Sequence, residues 1–307
     1  MPASTTCPIV TWRSSRNGCT SLTPSEVLAL VSDPAAESGE SGESRRARQA
    51  GGRPRQRIAN RLHAGVLALV LLSTAAAQAA EIKVAVSANF AAPLRKIGVD
   101  FEKESGHRIV ASVGSTGMFY AQIKAGAPFD ALLAADDETP ARLEKEGAGV
   151  AGSRFTYAIG KLVLWSRTPG FVDDRGEVLR TKAFSHLALA DPRLAPYGAA
   201  SLQVLKALGL LETLQPRFVT AANNTQAYQF VASGNAELGF LALSQVYQDG
   251  RITEGSGWIV PQEFYSPLRQ DAVLLARARG KPAAEALLKY LRGDKARAII
   301  RSYGYGL

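Results

Sequence analysis

From Glu81 onward the chain alternates between two hydrophobic rhythms. Short runs that are apolar at nearly every position are followed by stretches in which large apolar residues recur every three or four positions. The first run covers 82–86. Phe90, Leu94, Ile97 and Phe101 then fall on one helical face, with Pro93 tolerable in a first turn. The same reading predicts strands over 109–113, 129–134, 161–166, 187–190, 219–222, 238–242 and 272–276. Helices are predicted over 118–124, 199–208, 226–232, 283–291 and 294–302, with a further short one capped by Asp136 or Asp137. Glycine punctuates this pattern at Gly126, Gly209 and Gly234, where helices should end. Strand–helix alternation of this kind implies an α/β protein whose sheets are parallel and covered on both faces.

The first 80 residues follow neither rhythm. Arg53, Arg55, Arg57 and Arg61 precede an apolar run over 64–77, and Ala77-Gln78-Ala79 places small residues where a signal peptidase reads. The run is shorter than the roughly 20 residues a membrane span needs. Residues 53–79 therefore read as an export signal, cleaved after Ala79 or Ala80. Residues 1–52, rich in Ser, Gly, Ala, Pro and Arg, read as a disordered extension or as the product of a start codon assigned too far upstream.

Charge and cysteine usage narrow the chemistry. The formal charge of +9 falls to +5 once the leader is set aside, and the remaining basic residues form no stripe with interleaved aromatics. That excludes nucleic acid as a partner but helps attract anions. Both cysteines, Cys7 and Cys19, lie in the leader. The body thus has no disulfide, no thiolate metal site and no cysteine nucleophile. His107 and His186 stand alone, and Asp136-Asp137-Glu138 reads as a charged helix start rather than a cation site.

In open α/β sheets ligands bind beyond the carboxyl ends of strands, where helix N-termini point. Four such turns stand out: Ser87-Ala88-Asn89, Gly114-Ser115-Thr116-Gly117, Ala195-Pro196-Tyr197-Gly198 and Asn223-Asn224-Thr225. None contains Lys, Arg, Asp or Glu. Each helix start carries free N–H groups and about half a positive charge. Several converging on one point bind an anion without a cationic side chain. The plain alternative is that Ser, Thr and Asn at these turns are ordinary helix caps. A hydrolase using Ser87 or Ser115 is a second alternative, and it lacks a histidine base in any of the four turns.

Several motifs together resemble one family. They are IKVAVSANF at 82–90, GSTG at 114–117, GAPFD at 126–130 followed by AAD at 134–136, SRFTYAIGKLVLWS at 153–166, the turn from Asp191-Pro192 to Tyr197-Gly198, and AELGF at 236–240. In order and spacing they are similar to the periplasmic molybdate-binding proteins of ABC importers, over essentially all of 81–307. The resemblance implies a two-lobe class II periplasmic binding protein fold, each lobe a mostly parallel sheet flanked by helices. Lobe I would comprise 80–160 plus 262–307, and lobe II 161–261, with hinge strands at 161–166 and near Ala272. It further implies a monomeric periplasmic receptor with no enzymatic activity and no cofactor. Its ligand would be molybdate or tungstate, and its partner a membrane permease. Sulfate or thiosulfate is the alternative ligand. By position, Ala88, Asn89, Ser115 and Thr116 of lobe I would contact the oxyanion, with Tyr197 and Asn224 of lobe II offering mainly backbone N–H groups. Two residues depart from the pattern. Ala242 stands where one branch of the family places a tyrosine donor, and Ala88-Asn89 stands where hydroxyl residues are usual.

Overall fold

The computed structural model describes residues 79–307. The expected extension over 1–52 and the export signal lie outside the described residues, Ala79 apart.

Lobe I begins with β1 (Glu81–Ser87), in which only Glu81 and Lys83 reach solvent. A short 3-10 turn leads into α1 (Ala91–Ser105), whose Leu94, Ile97 and Phe101 are buried; Gly106 ends it at φ 72°. That left-handed angle lets the Gly106 N–H close on Glu102 O without a Cβ clash. There follow β2 (Arg108–Gly114), α2 (Thr116–Lys124), β3 (Ala131–Leu133), α3 (Glu138–Lys145) and β4 (Phe155–Gly160). The chain then crosses through Lys161 into β5 (Leu162–Ser166), the first strand of lobe II.

Lobe II continues with β6 (Leu187–Ala190), α4 (Pro196–Ala207), the single turn α5 (Leu211–Leu214), β7 (Phe218–Ala221), α6 (Asn224–Ala232) and β8 (Leu238–Ala242). A small hairpin, β9 (Tyr247–Gln248) and β10 (Arg251–Ile252), precedes β11 (Ser256–Ile259). The chain returns to lobe I as β12 (Leu268–Leu274) and ends in α7 (Pro282–Leu291) and α8 (Asp294–Ser302).

The strand orders are β2-β1-β3-β12-β4 and β11-β5-β8-β6-β7. β1 pairs in parallel with β2 and β3, and β6 with β7 and β8. Within these two five-stranded sheets the antiparallel pairings all involve β5 or β12, strands that lie next to the crossings between lobes. Both faces of each sheet are covered. In lobe I, Val84, Val86 and Leu133 pack on Phe90, Leu94 and Leu287, while Ala85, Leu132 and Val273 pack on Phe119, Ile123 and Leu143. In lobe II, Leu164 and Phe240 meet Val204 and Leu205, while Val163 and Leu241 meet Ala227 and Val231. This layering places the carboxyl ends of β1, β2, β6 and β7 in the cleft between the lobes, each followed by a helix start.

Several elements differ from the hydrophobic pattern. The strand expected over 129–134 is only Ala131–Leu133, because Ala127-Pro128 turns the chain and Phe129 N–H closes on Ala127 O. The helix expected from 199 starts at Pro196, whose fixed φ suits a first helical position. The last strand runs from Leu268 rather than 272, since Gln270 and Asp271 are buried polar residues that break the apolar run. Phe155–Gly160 and Ser256–Ile259 are strands whose polar or glycine positions hide them from hydropathy.

Gly198 in the first turn of α4 sits against the end of β6, where a Cβ would strike Ala190 O and come within 3.0 Å of Pro192 N. Helix propensity alone favours Gly198→Ala by about 1 kcal/mol. We expect the contact to win, with a net loss of about 1–3 kcal/mol in urea denaturation.

Candidate oxyanion site

The four turns singled out above meet in the cleft. Ser87, Ala88 and Asn89 from the end of β1, and Gly114, Ser115 and Thr116 from the end of β2, line one side of a small cavity. Ala195, Pro196 and Asn224 line the other, with Ala135 between. The cavity is about 10 Å³, far below the roughly 300–1,000 Å³ of sites for organic ligands. No lining residue carries a charge.

Ordinary capping does not account for the hydroxyls. Ser87 and Ser115 occupy cap positions yet make no side-chain capping bond, whereas Asn223 does cap α6 by accepting from Gln226 N–H. Ser115 Oγ is buried and has no partner. Ser87 Oγ and Thr116 Oγ1 are 2.6 Å apart, and Thr116 Oγ1 also accepts from Ala135 N–H at 2.9 Å. The pair holds two hydroxyl hydrogens and spends one on their mutual bond, so one remains to donate. First-turn backbone amides at Thr116, Tyr197 and Asn224 have no acceptor within their own helices.

The two asparagines each leave a buried amide oxygen, Asn89 Oδ1 and Asn224 Oδ1, without a partner. An amide turned end for end offers N–H₂ in the same place, so both side chains can present a donor there. Asn89 is the more constrained, because its Nδ2 donates to Gln270 Oε1 at 2.8 Å and to Tyr305 Oη at 3.1 Å. Asn224 is tied through its backbone: Gln245 Nε2 donates to Asn224 O at 2.9 Å, while Gln245 Oε1 accepts from Ala242 N–H at 3.2 Å.

Five of the six candidate residues thus line the cavity: Ala88, Asn89, Ser115, Thr116 and Asn224. Tyr197 is set back. Its buried phenol accepts from Gln270 Nε2 at 2.9 Å, and burial raises its pKa well above the ordinary tyrosine range. Ala242 does not line the cavity either. Ser87 is a cavity residue that the sequence offered only as a nucleophile, although its turn was marked. Gln245, Gln270, Ser244 and Tyr305 carried no sequence signal, since each is a polar residue remote in sequence from the turn it supports.

Across the described residues the two lobes touch at this site. Gly117 N–H donates to Leu194 O at 3.0 Å, and Ser244 Oγ donates to Asn89 O at 2.8 Å. Beside the cavity lies a wider groove of about 360 Å³ that includes Asp136, Asp137 and Glu138 on one wall and Arg193 and Arg269 elsewhere. Burial, with repulsion from Glu138 and Asp137, pushes the Asp136 carboxyl up to about 6 against two bonds from Thr139 that act the other way.

The chain matches the family model of the bacterial extracellular solute-binding proteins over residues 82–306. It is 59% identical over 246 residues to the molybdate-binding protein ModA of Azotobacter vinelandii, covering 80% of this chain and 95% of that protein. It is 49% identical to ModA of Rhodobacter capsulatus, covering 80% and 96%. The structure of the periplasmic molybdate-binding protein of Azotobacter vinelandii superposes with a TM-score of 0.72 at 45% identity, over 74% of this chain and 99% of that one. The sulfate-binding protein SubI of Mycobacterium tuberculosis shares the fold, at a TM-score of 0.59 and 13% identity.

The raised Asp136 pKa has a sign. Its folded value lies above its unfolded one, so its stabilising contribution is present below about pH 4 and is lost as pH rises through about 6. Asp136→Asn is therefore expected to raise the melting temperature at pH 8, with the gain shrinking towards pH 4.5. A gain of equal size at both pH values contradicts this assignment.

Proposed function

The chain belongs to the bacterial extracellular solute-binding proteins, and from that premise we propose that it is a receptor that binds molybdate and delivers it to an ABC permease. The observation that carries this reading is the buried cavity built from four helix starts of two lobes, with no charged side chain on its wall. A fully deprotonated tetrahedral dianion needs donors on every side and no carboxylate nearby. Each hydrogen bond to such an ion contributes on the order of 1.5–3 kcal/mol, so roughly half a dozen offset its desolvation and leave tight binding.

Tungstate, of the same charge and shape, fits the same donors. Sulfate differs chiefly in size, so the closed contact of Gly117 with Leu194 would set the discrimination by fixing how near the walls approach. The Ser87 hydroxyl is paired with Thr116, and Ser115 Oγ has no base at hydrogen-bond distance, an arrangement that suits donation to a ligand better than nucleophilic attack. Delivery to a permease places the mature protein in the periplasm. It acts there as a monomer whose lobes close on the ion.

Calorimetric titration of residues 81–307 with molybdate, tungstate, sulfate and phosphate tests the reading. We expect one-to-one binding of molybdate and tungstate at roughly −8 to −12 kcal/mol, with sulfate and phosphate silent. Equal sulfate binding would change the ligand, and silence toward all four would remove the function. Ser115→Ala should act with opposite signs on stability and affinity. Removing an unsatisfied buried hydroxyl raises the unliganded protein's stability by about 1 kcal/mol, while molybdate affinity falls by about tenfold or more.

A further inference from the structure

Gln270 is fully buried in the middle of β12, where hydropathy alone would place an aliphatic residue. The pairing of β12 with β4 shifts register between Gln270 and Asp271. Such bulges re-aim side chains, often next to functional sites. Here Gln270 Oε1 accepts from Asn89 Nδ2 at 2.8 Å and from Tyr157 Oη at 3.1 Å, and Nε2 donates to Tyr197 Oη at 2.9 Å. Asn89 belongs to the first turn of lobe I, and Tyr197 to the first turn of α4 in lobe II. One side chain therefore joins two of the helix starts that line the anion cavity, from opposite lobes. Gly160, the last residue before the chain crosses between lobes, lies against this junction: a Cβ there would strike Tyr197 Oη and approach Gln270 Nε2 to 2.5 Å.

We propose that Gln270 is a positioning residue for the oxyanion, holding Asn89 and Tyr197 in one hydrogen-bonded chain so that lobe closure and the arrangement of donors are set together. This rests on the oxyanion reading of the cavity. Gln270 also governs which end of the Asn89 amide faces the ligand. If both amides turn together their mutual bond survives with donor and acceptor exchanged. Tyr197 Oη then donates to Gln270 Oε1 instead of accepting. Tyr305 Oη donates to Asn89 Oδ1, and Asn89 Nδ2 replaces the orphaned oxygen.

The test is molybdate titration of the wild type, Gln270→Met, Tyr197→Phe and the double variant, each alongside a thermal melt. Gln270→Met keeps the length of the side chain without its bonds, and Tyr197→Phe removes a single hydroxyl should the first variant fold poorly. Each single variant is expected to bind about tenfold more weakly, and the double no more weakly than either, because the two changes break the same link. In the wild type the side-chain amide signals of Asn89 and Gln270 should shift together in nitrogen-15 NMR as molybdate saturates. A packing role alone would lower the melting temperature and leave these signals and the Kd unchanged, and that result overturns the proposal. So does a double variant whose loss is the product of the two single losses. A wild type silent toward molybdate instead overturns the oxyanion reading on which the proposal stands.

Discussion

A small anion held without a cation has to be met by N–H and O–H groups that cannot turn away from it. The free-energy cost of arranging such groups after the ion arrives would cancel much of what the bonds return, so they must be fixed beforehand. Helix first turns meet this condition because their amides lack acceptors within the helix and their direction is set by packing. The parallel strand pairs β1–β2 and β6–β7 both end at the cleft. In consequence the sheets themselves aim the donors. The rest of the architecture, with two lobes joined by two crossings, brings sets of first turns from separate sheets within reach of one ion.

The neutrality of the cavity wall has a second effect. Polar atoms that would be unfavourable in an ordinary core are tolerated here. Ser115 Oγ, Asn89 Oδ1 and Asn224 Oδ1 are all buried and unpartnered, and all three belong to residues lining the one small cavity. Stability is given up locally, at about 1–3 kcal/mol for each unsatisfied group, and the aromatic packing around the site holds it in shape. Phe90 lies between Tyr157 and Tyr305, at ring-centroid distances of 4.6 and 5.6 Å, so the first turn of lobe I is clamped by β4 and the C-terminal segment. Burial raises the Tyr305 pKa to about 12 and that of Tyr157 well above the ordinary range, so both phenols stay protonated as fixed donors.

Much of this was legible along the chain. Apolar runs such as 82–86 and 238–242 are strands for the reason that made them visible, namely burial on both faces of a covered sheet. The absence of charge from four strand-to-helix turns is likewise a property of local sequence, and it pointed to an anion before any fold was known. What escaped were residues whose role depends on distant partners. Gln270 bonds Asn89 across 181 positions, Tyr305 bonds the same residue across 216, and Gln245 braces a turn 21 positions away. No periodicity marks such residues, and in strands they read as interruptions.

The division follows from range. Local sequence determined which segments form strands and helices, where the helices start, and that those starts are neutral, because backbone preference and burial pattern act over a few residues. It also carried the family likeness that names the oxyanion class. Tertiary structure alone decided that Ser87 rather than Tyr197 presents its side chain to the cavity. It also decided that Ser115 is left unbonded and that Asn89 is held from behind by Gln270 and Tyr305. Which atom of a side chain faces a ligand depends on the bonds its other atoms make, and those bonds come from residues that only folding brings near.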